Sequence, residues 1–161
     1  MKSLPKVLLH DHLDGGLRPE TIIEIADEIG YLNLPTYKPT KLADWYQESC
    51  DSGSLVRYLE TFDHTIAVMQ REQDLVRVAK EAVIDLANDG VIYAEGRVAP
   101  EHFTKKGLSM EAVVEAMLEG YRLGEVETGI KANTILCGMR NFDKSQEVAE
   151  LVVKYRDKGV V

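Results

Sequence analysis

The chain has 161 residues, of which 45% are hydrophobic, enough for one globular domain with a real core. Its 27 acidic residues outnumber 19 basic ones, and the net charge of -8 argues against nucleic acid or an anionic membrane as a partner. No apolar run approaches the roughly 18 residues of a membrane span. Cys50 and Cys137 lie far apart, without metal-site spacing. Reduced thiols and the lack of a targeting signal predict a cytoplasmic protein.

The N-terminal segment predicts a strand followed by a helix. PKVLLH is a short aliphatic run, and after Arg18 apolar residues recur at helical spacing, with Pro19 and Glu20 in the first turn. Residues 31–53 contain prolines and scattered polar residues. They predict a surface segment with a short helix around KLADWYQ, anchored by Trp45. We expect a helical insertion over about residues 31–70.

Four further helices are expected from apolar residues at steps of three and four. The first begins after Ser54 and runs to about Met69, and the second covers about residues 75–86. The other two cover about residues 109–127 and 144–158.

Three glycine junctions separate these helices from β-branched runs. Gly90, Gly129 and Gly159 each follow a helical pattern, and they suit the left-handed residue that ends a helix. The runs after them suit buried parallel strands, and GVV at residues 159–161 would begin a fourth strand. Strands alternating with helices predict an α/β fold with a parallel sheet, either doubly wound or a barrel.

The stretch VLLHDHLDGG combines two histidines and two aspartates at the end of the first predicted strand. Functional residues of parallel α/β proteins lie at the carboxyl ends of strands. His10 and His12 are two apart on an extended segment, so their side chains point to the same side and Asp11 to the other. Two neutral imidazoles can bind one divalent ion such as zinc. The alternative is a pair of solvated loop histidines.

Four segments carry a family resemblance. LPKVLLHDHLDGGLRPETIIEIA resembles the N-terminal signature of the adenosine deaminases, which are metal-dependent amidohydrolases with a (β/α)8 TIM barrel. In the same order, SLVRYLETFDHTIAVM resembles the family's lid helix, GVIYAEGRVAPE its second strand and GIKANTILCGMR its third. The resemblance implies that residues 1–161 are a single incomplete domain. It would comprise the first three βα units of the barrel, truncated at the start of strand 4.

The resemblance also implies roles for single residues. His10 and His12 match the two metal ligands of the first strand. Asp14 matches the aspartate that hydrogen-bonds the ribose 5′-hydroxyl, and Tyr58 and Phe62 match part of the apolar wall above the purine.

Other site residues are less certain on the sequence alone. Leu55 and Leu59 match the same apolar wall, although the spacing of all four wall residues equally fits an ordinary core face. Glu95 and Arg97 match a family pair near the site, and a buried ion pair that braces the barrel fits them equally well. Gly96 stands where a bulkier aliphatic residue is usual, which puts the local packing in question.

The two remaining histidines are expected outside the site. His102 follows the second strand and could face the site, although a loop histidine is the expected reading. His64 lies off the apolar stripe of its helix and is expected to face solvent.

The reaction implied is hydrolytic deamination of adenosine and 2′-deoxyadenosine to inosine and ammonia by a metal-activated water, with one Zn²⁺ per complete site. The expected partner is thus a small purine nucleoside. The other metal ligands and the catalytic groups are implied beyond residue 161. We therefore expect no catalytic residue within this segment and no activity from it alone.

Two alternatives remain open. An adenine or aminodeoxyfutalosine-type deaminase would share the two histidines, but such enzymes typically carry glutamate in place of Asp14. A non-catalytic piece that self-associates through open strand edges would need no active site. The H-x-E and P-C-x-x-C signature of base-editing deaminases and the phosphate-binding G-x-x-x-x-G-K-[ST] loop are both absent from the sequence.

Overall fold

Strands and helices alternate along residues 4–161, the part of the chain that the structure, a computed structural model, describes. The strands are β1 (Lys6–His12), β2 (Val91–Val98) and β3 (Lys131–Leu136). The helices are α1 (Pro19–Ile29), α2 (Pro39–Cys50), α3 (Leu55–Val68), α4 (Glu72–Asn88), α5 (Met110–Thr128) and α6 (Ser145–Tyr155). Among these residues, no helix is both long and apolar enough to cross a membrane.

The sheet is parallel, with the order β1-β2-β3. Val160 adds a parallel bridge to Thr134 of β3, as expected for the beginning of a fourth strand. The carboxyl ends of all the strands therefore lie at one edge of the sheet. This arrangement confirms the predicted α/β class and is that of the first part of a barrel.

The helix ends follow local chemistry. Pro19 occupies the first turn of α1, and the side chain of Ser54 accepts a hydrogen bond from the backbone of Arg57 at the start of α3. Gly90, Gly129 and Gly159 all have positive φ angles, of 86°, 79° and 109°. The predicted left-handed junctions are thus confirmed.

Helix α5 packs unusually closely on α4. A Cβ atom on Gly120 would lie 2.4 Å from the carbonyl oxygen of Val76, and one on Gly124 would lie 2.5 Å from the Cβ of Val83. Only glycine permits this approach, which brings two helices together over one face of the sheet. The core between them contains fully buried Met117.

The segment between α1 and α3 lies near the surface and contributes two side chains to the core. Leu42 of α2 has no exposed surface and Leu34 is buried, because α2 packs against α1 and α3. The ring of Trp45 stands edge-on to that of His64, with centroids 5.4 Å apart. The prediction of Trp45 as an anchor is confirmed, and the segment lies near the surface as expected, with Leu34 and Leu42 reaching into the core.

His64 does not face solvent as predicted. It is half-buried, and its Nδ1 lies 2.9 Å from the hydroxyl oxygen of Tyr31. Burial lowers the pKa of His64, and the nearby Asp63 opposes this only in part. The stripe of α3 alone gave no sign that another helix would cover its second face.

Candidate active site

The two faces of the sheet have different surroundings. We call the face that bears Tyr93, Glu95 and Arg97 of β2 the interior face. Val7 of β1 pairs with Tyr93, and His12 pairs with Arg97, so both lie on this face although five residues separate them. An uninterrupted strand would put residues five apart on opposite faces.

A bulge in β1 resolves this difference. Leu8 pairs with Ala94 and Asp11 with Gly96, so β1 has two residues between these pairs where β2 has one. The extra residue changes the phase of the alternation. Both imidazoles are thereby placed on the interior face at the carboxyl end of β1.

His10 and His12 are close enough to share one ion. Their ring centroids lie 5.5 Å apart, with the planes tilted by 52°. Two imidazoles on one tetrahedral zinc ion place their ring centres about 5 Å apart, given a Zn–N distance of about 2.0 Å. The pair fits two positions of a metal site, and no group of three or more such ligands occurs within residues 4–161.

Arg97 contacts the first of these histidines. Its Nη1 lies 2.7 Å from Nε2 of His10. Because a guanidinium only donates, this imidazole nitrogen accepts, and its lone pair is of the kind that a metal takes. Glu95 instead accepts a hydrogen bond from the hydroxyl of Tyr93 at 2.8 Å. The bracing Glu95–Arg97 ion pair, one of the two readings of that motif, is not found among the described residues.

Asp14 follows β1 directly, in a short 3-10 helix (Leu13–Gly15). It is only 7% exposed, and its Oδ1 lies 3.8 Å from Nδ1 of His12. That oxygen has no hydrogen-bond partner within the described part of the chain. Burial raises the pKa of Asp14, and the charge of His12 acts in the opposite direction.

Two cavities meet at Asp14. One, of about 460 Å³, opens beside His12 and reaches the carboxyl ends of β2 and β3. The other, of about 340 Å³, lies between the turn after β1 and helices α1 to α3. Asp14, Tyr58 and Phe62 line both cavities. The three residues predicted to bind substrate therefore form the wall that the cavities share.

The N-terminal part of the apolar stripe of α3 is uncovered. Leu55 is 69% exposed and Leu59 is 53% exposed, which does not suit an ordinary core face. Leu59 lines the larger cavity together with Tyr58 and Phe62, whose rings pack edge-on at 5.3 Å. Leu55 lines neither cavity, so the structure does not place it in the wall.

Gly96 accommodates a tyrosine of α5. A Cβ atom at Gly96 would lie 2.2 Å from the hydroxyl oxygen of Tyr121, which enters the sheet from the face opposite the interior one. That hydroxyl is buried without a well-aligned partner, and the nearby Thr134 donates its own proton to the Gly96 carbonyl at 2.9 Å. Burial raises the pKa of Tyr121, with a smaller contribution from the charge of Asp11. The Tyr121 hydroxyl thus fills the space that a side chain at position 96 would occupy, and the packing there leaves no gap.

Three further residues line this part of the site, and sequence reasoning considered only His102 among them, favouring a loop position for it. His102 lies in a short 3-10 helix (Pro100–Phe103) after β2 and lines the larger cavity, so its side chain is more than a loop histidine. Cys137 and Met139, after β3, line it too. The available signal was position, since all three follow the carboxyl end of a strand.

A family model described as adenosine deaminase matches residues 5–161. The chain is 54% identical to adenosine deaminase 1 of Streptomyces coelicolor over 166 residues, which cover 100% of the chain and 42% of that relative. It thus spans less than half the length of the curated relatives that it matches.

Two solved structures share the fold. The N6-mAMP deaminase of Arabidopsis has a TM-score of 0.80 and 28% identity, over 99% of this chain and 49% of that one. An amidohydrolase of Burkholderia ambifaria with bound Zn has a TM-score of 0.75 and 25% identity, over 98% of this chain and 42% of that one.

Proposed function

This chain belongs to the adenosine deaminase family, and on that premise we propose that a longer protein containing it converts adenosine and 2′-deoxyadenosine to inosine and ammonia by hydrolysis. The observation that carries the proposal is the pair of imidazoles 5.5 Å apart beside the buried carboxyl of Asp14. A divalent ion, which we propose to be zinc, supplies the acidity that makes water a nucleophile at neutral pH.

Each residue of the chain has a defined task in this proposal. His10 and His12 hold the ion, and Asp14 accepts a hydrogen bond from the ribose 5′-hydroxyl. Tyr58 and Phe62 cover the purine and exclude water from it. Because no group of three or more metal-binding side chains occurs among the described residues, we propose that the 161-residue chain alone does not turn over substrate.

Asp14 also decides between related substrates. A buried carboxyl with one oxygen that accepts no hydrogen bond suits a neutral hydroxyl donor and disfavours a phosphate, because two anions would be desolvated together. Free adenine would leave Asp14 unsatisfied. We therefore rank adenosine ahead of AMP and adenine as the substrate. We also propose the cytoplasm as the compartment, since Cys50 and Cys137 are both free thiols.

The test compares adenosine, adenine and AMP as substrates of the longer protein, with bound metal measured by mass spectrometry. Loss of the charge-assisted hydrogen bond in Asp14→Ala should lower kcat/KM for adenosine about 10- to 150-fold with metal retained. Asp27→Asn, on the exposed face of α1, is the matched control and should behave as wild type. A preference for adenine or AMP would overturn the substrate assignment.

A further inference from the structure

His102 occupies a position that the proposed reaction has not yet used. Its side chain is half-buried and lines the larger cavity together with Asp14, Phe62 and His12. It comes from the segment after β2, whereas Asp14 comes from the segment after β1. The two groups therefore border the same cavity from neighbouring strands.

The backbone of His102 is held in place by Gln70, whose buried side chain lies just after the end of α3. The Gln70 amide nitrogen donates to the carbonyl of His102 at 3.0 Å and to that of Ile66 at 2.7 Å. Its amide oxygen accepts from the backbone of Lys105 at 3.1 Å. One amide thus ties both sides of the His102 turn to the helix.

Two further contacts fix the turn and the ring. Glu101, only 3% exposed, accepts a hydrogen bond from the backbone of Met139 at 3.0 Å and joins the segments after β2 and β3. The ring of Phe142 stands edge-on to the ring of His102, with centroids 5.4 Å apart. A side chain whose backbone is held and whose ring packs against a neighbour loses less freedom when it binds a ligand.

The polar chemistry on the two sides is complementary. Burial lowers the pKa of His102, against the opposing charges of Asp14 and Glu101, so at neutral pH the ring is a neutral imidazole with one donor and one acceptor. Oδ1 of Asp14 can accept a hydrogen bond and has no hydrogen-bond donor among residues 4–161. A ligand hydroxyl suits both groups at once, because it donates a proton and its oxygen still accepts one.

We propose that His102 is a specificity residue that reads, together with Asp14, one hydroxyl of the ligand: the hydroxyl donates to Asp14, and the His102 ring donates to its oxygen. The inference deepens the proposed function and rests on it, because the hydroxyl is then the ribose 5′-hydroxyl of the nucleoside. Asp14 supplies the acceptor and His102 the donor. Recognition requires an oxygen that carries a proton.

The test measures kcat/KM of the longer protein for adenosine, 5′-deoxyadenosine and 3′-deoxyadenosine. In His102→Leu, kcat/KM for adenosine should fall about 3- to 10-fold, the usual range for one neutral hydrogen bond. The value for 5′-deoxyadenosine should not change, since that substrate lacks the hydroxyl. His102→Gln, which keeps an N–H donor, should recover part of the loss, and Lys106→Ala in the same segment is the control.

The outcomes separate the two proposals. Suppose that the wild type turns over adenosine but His102→Leu lowers kcat/KM equally for all three substrates. His102 then does not read the 5′-hydroxyl. The same holds if the substitution changes kcat/KM for 3′-deoxyadenosine as it does for 5′-deoxyadenosine. If the wild type does not turn over adenosine, the proposed function fails and this inference fails with it. Bound metal and circular dichroism of both His102 variants identify a folding defect, and in that case His102→Gln alone decides.

Discussion

The contact between Gly96 and Tyr121 predicts a large effect from a single methyl group. In Gly96→Ala the new Cβ would lie 2.2 Å from the Tyr121 hydroxyl oxygen and 3.2 Å from its Cζ. Tyr121 has little room to retreat, because α5 already touches α4 through Gly120 and Gly124. Overpacking of a core lowers the free energy of unfolding by about 1–3 kcal/mol. Because this contact is so close, we expect Gly96→Ala to cost about 3 kcal/mol.

The expected loss is measurable by thermal unfolding followed by circular dichroism. For a chain of this size about 3 kcal/mol corresponds to a fall in Tm of about 6–12 °C. Tyr121→Phe alone should be nearly neutral, since it removes a buried hydroxyl that lacks a good partner. Combined with Gly96→Ala, Tyr121→Phe should restore about 1–2 kcal/mol of the free energy of unfolding, because the 2.2 Å contact with the hydroxyl is gone while the ring remains.

The result that would refute this reasoning is equally specific. If Gly96→Ala leaves Tm unchanged, the strand and helix have more freedom than the packing implies. If Tyr121→Phe does not reduce the cost of Gly96→Ala, the two residues are not energetically coupled. Either outcome would reopen the question of local packing raised by the glycine.

Three other predictions concern the metal, pH and association. In the longer protein, His10→Gln or His12→Gln should reduce bound metal to background in mass spectrometry, while His64→Gln keeps it; equal retention in all three would remove the first two as ligands. Because burial lowers the pKa of His64 from its ordinary value of 6.5, the unfolded chain binds the proton more readily, and the free energy of unfolding should decrease as pH falls below 6.5, by at most about 1.4 kcal/mol per unit. His64→Gln should flatten this slope in urea titrations, and an unchanged slope would assign it to other groups. The 161-residue chain alone should self-associate in gel filtration through the open edge of β1, where Leu9 is 56% exposed; Leu9→Lys should shift it toward the monomer, and a wild-type monomer at high concentration would contradict this.

The fold was predictable because its signals are local. Pro19, Ser54 and Gly129 mark helix ends by their own backbone chemistry, and a parallel sheet follows from the alternation of strands and helices. The proximity of His10 and His12 was predictable for a similar reason, since they are two residues apart on one strand. Their residue roles in binding remain predictions.

What the sequence did not show depends on packing between distant elements. His64 is covered by α2, and Tyr121 occupies the space over Gly96 from a helix 25 residues further along the chain. The backbone of His102 is held by Gln70, 32 residues away. The hydrophobic pattern of a single helix or strand cannot predict such contacts. Leu55 is the opposite case: its spacing fits the apolar wall, but it lies at the start of α3, exposed and away from the cavity.

The bulge in β1 makes the strand unequally sensitive to changes in length. Removing Leu9 would leave a regular strand in which both imidazoles still point as they do now, since the bulge holds one residue more than pairing requires. Removing Asp11 would make the two histidines sequence neighbours and send their rings to opposite sides. Natural or engineered one-residue deletions should therefore be tolerated before the HDH tripeptide and not within it.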